Sequence, residues 1–250
     1  MTLSQSRAAL VAVIVATTGL AWYWIAAMGV DMYGAMSGAS AWMMTPVWDV
    51  PHVALLFAMW TVMMVAMMLP SASPLLLIYS GVARRTEVPG YAPSNVYFVA
   101  LGYLLVWTLF SAAATVLQRL LTATFVLNPM MELQSRRAIA GSLVLTGLYQ
   151  TLPIKGECLK HCRAPVSFLT DHARAGAGGA FELGLRHGLY CVGCCWALML
   201  LLLAGGVMNL WVIVGLSVFV AIEKLSPFGQ ATRWFGAAAL TAVGAYLMVS

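Results

Sequence analysis

The five cysteines of this chain fall into two short segments, ECLKHCR and HGLYCVGCC, and each segment also contains a histidine. Their metal-capable side chains are Cys158, His161, Cys162, His187, Cys191, Cys194 and Cys195. Thiolates and imidazoles are the soft and borderline ligands that suit copper(I) and zinc. This grouping therefore predicts a soft-metal site, with copper(I) favoured and zinc as the alternative.

Helical geometry would bring the members of each segment onto one face. Successive residues of an α-helix are turned by about 100°, so the three members of the first segment span about 100°, as do the four members of the second. Pro165 should end or kink the first of these helices, because proline cannot continue the hydrogen-bond ladder. We predict that both segments are helical and that their sulfur and imidazole groups converge around one ion.

A third segment, MWTVMMVAMMLP, is rich in methionine, and its thioethers belong to Met59, Met63, Met64, Met67 and Met68. They spread over about 180° of a helix, which is too wide for a narrow line of ligands. Thioethers bind copper(I), but methionine also fills irregular apolar cores. Two interpretations remain open: core packing, or a secondary metal path that crosses the membrane from an outer methionine-bearing loop to the thiols.

Two other functions are compatible with the same residues. Cys191 and Cys194 form a C-x-x-C pair, so the chain could be a membrane thiol–disulfide oxidoreductase, with Cys158 or Cys162 as the resolving thiol. It could also be an accessory or structural subunit of a larger membrane complex. Gly184 and Gly188 form a G-x-x-x-G pair that would let another helix approach closely. We expect no catalytic residue outside the redox alternative, and the chain has no nucleotide-binding or phosphorylation motif.

Composition indicates what surrounds these residues. The 250-residue chain is 62% hydrophobic and 8% charged, whereas soluble domains carry roughly 25% charged residues. Long apolar runs predict an all-α, polytopic transmembrane helix bundle that forms a single integral membrane domain over residues 1–250. We predict about seven spans: Ala8–Met28, Val53–Tyr79, Val96–Leu121, Ala138–Leu152, His187–Ala204, Val207–Ile222 and Trp234–Val249. The second should kink at Pro70.

The distribution of basic residues predicts the orientation. An inner N-terminus and an outer C-terminus put ten lysines and arginines inside and three, Arg119, Arg136 and Arg137, outside, as the positive-inside rule requires. Residues 29–52 would then form an outer loop with methionines and aromatic residues. Residues 153–186 would form an inner loop that carries the first Cys/His segment and a Gly/Ala-rich hinge, RAGAGGA.

Three motifs, in this order, resemble a bacterial family of predicted metal-binding integral membrane proteins: WTVMMVAMMLP, KGECLKHCRAP and GLRHGLYCVGCCWALM. The resemblance implies a multi-helix protein of the bacterial inner membrane that handles a metal, sometimes described as copper-related. The positions that match its motifs are Met63, Met67, Met68, Cys158, His161, Cys162, His187, Cys191, Cys194 and Cys195.

The leading hypothesis is a membrane-embedded protein that binds a soft metal for transport, storage or delivery to a metalloenzyme. Its expected partners are the lipid bilayer and a membrane or periplasmic metalloenzyme or other subunits, with neither nucleic acid nor nucleotide. An inner-side location argues against structural disulfides, because cytosolic thiols are kept reduced.

Overall fold

The computed structural model describes residues 3–37, 39–44, 48–83, 92–128 and 130–250. These residues form helices and no β-strand, with a single isolated bridge between Leu127 and Leu133. The α-helices are α1 Leu3–Met32, α2 Ala39–Met43, α3 Val50–Ala83, α4 Val96–Ala123, α5 Arg136–Thr151, α6 Pro153–Arg163, α7 Pro165–His172, α8 Gly176–Leu200, α9 Leu202–Gly205, α10 Leu210–Leu225 and α11 Gly229–Val249. The all-α prediction is confirmed.

Four helical segments are long and apolar enough to cross a membrane: Arg7–Met32, Val50–Ala83, Pro93–Ala123 and Gly176–Gly205. They contain the first, second, third and fifth predicted spans. The other three predicted spans lie on α5, α10 and α11, which are helical but do not meet the same criteria. Helices α5 and α10 have 16 residues each, or about 24 Å, which is short of a hydrocarbon layer of about 30 Å. The described residues thus support four apolar spans rather than about seven.

Helix α3 continues through Pro70 and Pro74 to Ala83. A proline inside a helix leaves the carbonyl four residues earlier without its usual donor. The Pro70 carbonyl, left free by Pro74, accepts a hydrogen bond of 2.8 Å from Ser73 Oγ. The Ser71 hydroxyl donates to the Met68 carbonyl at 2.8 Å, which neither proline leaves free. The Ser73 hydroxyl thus compensates for the donor that Pro74 lacks.

The segment predicted as an inner loop, residues 153–186, is itself helical and forms α6, α7 and the beginning of α8. Pro153 and Pro165 stand at the first turns of α6 and α7, where proline lacks no needed donor. The prediction that ECLKHCR is helical and that its helix ends before Pro165 is confirmed. The predicted hinge is instead the start of α8, where Gly176 adopts a positive φ of 85°.

The segment predicted as an outer loop, residues 29–52, also contains helical structure. Helix α1 continues to Met32, α2 follows, and α3 begins at Val50. Residues 38 and 45–47 lie outside the described residues.

Helices α4 and α8 pack backbone to backbone at glycines. A Cβ atom on Gly184 would collide with the Val99 carbonyl oxygen, and one on Gly188 would lie 2.9 Å from Val106 Cβ. On the facing helix, a Cβ on Gly102 would collide with the Phe181 carbonyl oxygen. The G-x-x-x-G pair therefore does allow a close helix approach, and this contact fixes α8 against α4.

One of two buried clusters among the described residues connects α1, α3, α4, α6, α8 and α10. The five methionines of MWTVMMVAMMLP all lie in it, together with four of the five cysteines. Helix α3 packs on α1 and α4, and α6 packs on α8. The methionine segment and the two cysteine segments are thus parts of one packed interior.

Candidate metal site: a cluster of four thiols

Four thiols meet where α6 packs against α8, and we call Cys162, Cys191, Cys194 and Cys195 the four-thiol cluster. All four side chains are buried. Cys162 Sγ, on α6, lies 3.9 Å from Cys194 Sγ on α8. The predicted convergence of the two cysteine segments is present in the folded chain.

Helical spacing accounts for the three members on α8. Cys194 and Cys195 follow Cys191 by three and four residues, so all three lie on one face of the helix. Cys194 Sγ and Cys195 Sγ both donate to the Cys191 backbone carbonyl, at 3.1 Å and 2.9 Å. These hydrogen bonds hold the two thiols close to the Cys191 side chain.

Three further side chains contact the cluster from other helices. Met68 Sδ, on α3, lies 4.0 Å from Cys195 Sγ. Tyr103 Oη, on α4, lies 3.0 Å from Cys191 Sγ and 3.0 Å from the Met68 carbonyl oxygen, to which it donates. Lys224 Nζ, on α10, lies 2.9 Å from Cys191 Sγ. Helices α3, α4 and α10 therefore contact the thiols that α6 and α8 supply.

Cys158, the fifth cysteine, lies at the edge of this group. It is half-buried, and its sulfur would lie 2.8 Å from a Cβ added to Gly193. Gly193 thus makes room for α6, and its carbonyl accepts a hydrogen bond from Tyr149 Oη. Burial, with the nearby Cys194 and Glu157, raises the pKa of the Cys158 thiol. This thiol is therefore neutral at pH 7 unless a cation binds it.

The other α6 thiol, Cys162, is also held in its neutral form. Its hydrogen bonds to Cys191 and Cys194, followed by burial, raise the pKa of Cys162 well above its usual range. A neutral thiol can donate to a neighbouring sulfur, whereas a bound metal ion would favour the thiolate.

The two predicted histidine ligands pack against aromatic rings. His161 stacks on Tyr190 with 4.1 Å between ring centroids, and its Nδ1 lies 2.8 Å from the Glu157 carbonyl oxygen. His187 is buried between Tyr103 and Phe168, at centroid distances of 5.6 Å and 5.2 Å, and its Nδ1 has no hydrogen-bond partner. The cysteine sulfurs of the two segments therefore lie close together. That either imidazole would bind the same metal ion stays a prediction.

The sulfur geometry can be compared with that of a bound metal. Two sulfurs bound to one ion at about 2.3 Å lie roughly 3.8 to 4.6 Å apart, from tetrahedral to linear coordination. The Cys162–Cys194 and Cys195–Met68 separations of 3.9 Å and 4.0 Å fall in this range. No group of three or more His, Cys, Asp or Glu side chains in the described part of the chain is already arranged to hold a metal ion. The donor set fits a soft ion, but full coordination would need side-chain movement.

The methionines divide into one that contacts the thiols and four that pack elsewhere in the core. Met68 contacts Cys195 directly. The other four are buried in the same interior: Met59, Met63, Met64 and Met67. Both interpretations of the methionine segment therefore survive, with Met68 the member closest to a ligand role.

Sequence reasoning missed Lys224 and Tyr103. Lys224 counts as an inner-side charge in the positive-inside comparison, together with Lys155 and Arg233, but all three side chains are buried. Lys155 forms an ion pair with Glu223, and Arg233 donates to the Gln150 and Leu152 carbonyls. The available signal is the pair Glu223–Lys224 at the end of the apolar α10 segment, since charges there are costly unless they are paired.

Comparisons with known proteins agree with a metal role. No curated protein matches the chain, and no solved structure matches it. Residues 57–247 match the PpoB2 family, which is described as copper chaperones. The matched segment includes all five cysteines, the methionines of α3 and Lys224. The chain therefore belongs to the PpoB2 family of copper chaperones.

Proposed function

We propose that this protein is a membrane-embedded copper(I) chaperone that binds its cargo at the four-thiol cluster and delivers it to a metalloenzyme. The observation that carries the proposal is the meeting of four buried thiols from α6 and α8, with the Met68 thioether beside them. Thiolates and thioethers select copper(I) over harder ions. Membership of a copper chaperone family supports the same cargo, with zinc as the alternative.

We propose that the other predicted ligands, Cys158 and His161 on α6 and His187 on α8, serve in transfer. Seven thiol and imidazole groups exceed the four ligands that a tetrahedral ion takes. Cys158 and His161 are half-buried and therefore partly reachable from outside, whereas the four clustered thiols are buried. A copper ion would then pass between the outer positions and the buried thiols by ligand exchange. Met59, Met63, Met64 and Met67 are proposed as the path on the opposite side.

The membrane setting is also part of the proposal. Four apolar helices support embedding in a bilayer, and α5, α10 and α11 could complete about seven crossings as tilted or partly inserted helices. We propose the bacterial inner membrane, an inner N-terminus and an outer C-terminus. The partners would be the lipid bilayer and a membrane or periplasmic metalloenzyme, or other subunits of a complex.

Metal analysis of protein purified anaerobically in detergent tests the proposal. About one copper(I) per chain is expected, and X-ray absorption at the copper edge should show sulfur scatterers near 2.3 Å. Cys191→Ser with Cys194→Ser should abolish loading. Cys158→Ser is the matched control, because it should retain the stoichiometry and slow only the transfer of copper to an acceptor. A folded protein that takes up no copper(I) contradicts the proposal.

The thiol–disulfide oxidoreductase is a second candidate, favoured by the 3.9 Å between Cys162 Sγ and Cys194 Sγ. These two thiols lie on different helices, so a disulfide between them would link α6 to α8. The C-x-x-C pair, Cys191 and Cys194, lies on α8 alone. A metal-free protein with a reversible two-electron couple that requires Cys162 and Cys194 would support it. An accessory or structural role would instead give a stable complex that is unchanged by the cysteine variants.

A further inference from the structure

Lys224 carries a positive charge into the four-thiol cluster. Its Nζ lies 2.9 Å from Cys191 Sγ, 3.6 Å from Cys195 Sγ and 3.7 Å from Met68 Sδ. The residue is 4% exposed, so its ammonium group has almost no access to water. Three sulfur atoms on two other helices thus surround a buried monovalent cation.

The neighbouring carboxylate does not supply the counter-charge. Glu223 precedes Lys224 on α10, but it forms a fully buried ion pair with Lys155, with 2.7 Å between Nζ and Oε1. A buried charge is very unfavourable unless an opposite charge or strong hydrogen bonds compensate it. For Lys224 the nearest polar atom is the Cys191 sulfur, which accepts its hydrogen bond at 2.9 Å.

We propose that the Lys224 ammonium and copper(I) compete for one position among Cys191, Cys195 and Met68, so that Lys224 withdraws when copper binds. This inference rests on the proposed function. Two thiol sulfurs and a thioether are donors that copper(I) takes. Two cations cannot share a buried position of this size, because their repulsion is strong where water is excluded.

The exchange gives Lys224 a role in metal selection. When one monovalent cation leaves and another enters, the net charge of the buried site does not change. A divalent ion would add one uncompensated positive charge unless a further thiol lost its proton. Lys224 lies in the last turn of α10, and its long flexible side chain can carry the ammonium group beyond the helix end towards water.

The chain offers its own controls, because its three lysines lie in three different environments. Lys224 contacts the thiols, Lys155 is buried with Glu223, and Lys160 is exposed. We would acetylate the detergent-solubilised protein with an N-hydroxysuccinimide ester, remove thiol esters with hydroxylamine, and map the modified lysines by mass spectrometry. Lys160 should react with and without copper(I), Lys155 should react in neither state, and Lys224 should react only after loading with copper(I) or silver(I).

Substitutions test the competition by affinity. If the ammonium occupies the position in about 90% of metal-free molecules, Lys224→Leu, which removes the cation without adding a thioether, should bind copper(I) roughly tenfold more tightly in competition with a chelator. It should also discriminate less between silver(I) and zinc than the original chain. Lys224→Arg keeps a cation in place and should retain most of the original selectivity.

The outcomes separate this inference from the proposed function. Copper(I) loading that leaves Lys224 unreactive, with weaker binding by Lys224→Leu, would make the ammonium a permanent counter-charge and overturn the competition alone. A folded chain that binds no copper(I) in either form would overturn both. If Lys224→Leu does not fold, the acetylation pattern of the original chain decides the matter by itself.

Discussion

Cys162 Sγ on α6 lies 3.9 Å from Cys194 Sγ on α8, although 32 residues separate them in the chain. This separation is close to that of two sulfurs on one metal ion and longer than a disulfide bond of about 2.05 Å. Small side-chain movements could therefore lead either to a shared copper ion or to a covalent bond. The same contact supports both the leading function and its redox alternative, and oxidation distinguishes them.

We expect mild oxidation with diamide to link Cys162 to Cys194 in metal-free protein, because these thiols already meet. Copper(I) that takes either sulfur as a ligand should block the reaction. Peptide mapping under non-reducing conditions measures the product. Cys162→Ser is the control and should lose the crosslink. Equal crosslinking with and without copper(I) would show that the ion does not bind this pair.

The methionine in the cluster gives a second prediction. Met68→Leu conserves side-chain volume, so its cost in stability should stay below about 1.5 kcal/mol. It removes the thioether that lies 4.0 Å from Cys195 Sγ, and copper(I) affinity should therefore fall. Competition with a chromophoric copper(I) chelator measures the change. Met28→Leu is the control, since the Met28 sulfur accepts instead from Ser40 Oγ at 3.5 Å and its loss should leave affinity unchanged.

A buried ion pair gives the third prediction. Lys155 and Glu223 join α6 to α10, and both side chains are 0% exposed. Lys155→Met leaves the Glu223 charge without its partner and should cost about 3–5 kcal/mol of stability. The double variant Lys155→Met, Glu223→Met removes both charges and should recover most of that loss. Thermal unfolding in detergent measures both.

The exposed pair on the same helix is its control. Lys160 and Glu157 lie 2.6 Å apart but are 71% and 62% exposed, so water screens their attraction. Lys160→Met should change the unfolding temperature little. A large effect there, or no effect at Lys155, would contradict the assignment of stability to the buried pair.

Local spacing was enough to predict much of the candidate site. Three cysteines three and four residues apart must share a face of a helix, and ECLKHCR ends before Pro165 because proline ends helices. The meeting of the two cysteine segments was predicted because all five cysteines lie in them, but the particular contact of Cys162 with Cys194 was not predicted. Spacing could not show that His161 and His187 pack against aromatic rings, since this depends on where α7 folds back.

The number of crossings and the role of Lys224 depend on tertiary structure. Apolar runs in the sequence marked the central parts of α5, α10 and α11. Helix α5 ends before Pro153 and α10 ends before Ser226, so each has only 16 residues. Counting basic residues treats every lysine as exposed. Lys155 and Lys224 are instead buried against Glu223 and the thiols, a pairing between helices that no local pattern encodes.

Gly193 gives the last prediction, because it sets how closely α6 approaches α8. A Cβ at this position would lie 2.8 Å from Cys158 Sγ, so Gly193→Ala should push α6 away at a cost of about 1–3 kcal/mol. The displacement would separate Cys162 from Cys194 and weaken copper(I) binding. The double variant Gly193→Ala, Cys158→Ala removes the colliding sulfur and should restore both stability and affinity. Gly215→Ala is the control, since a Cβ there meets nothing within 4 Å, and alanine should stabilise α10 slightly. If the double variant binds copper(I) no better than Gly193→Ala alone, contact with Cys158 is not what brings the four thiols together.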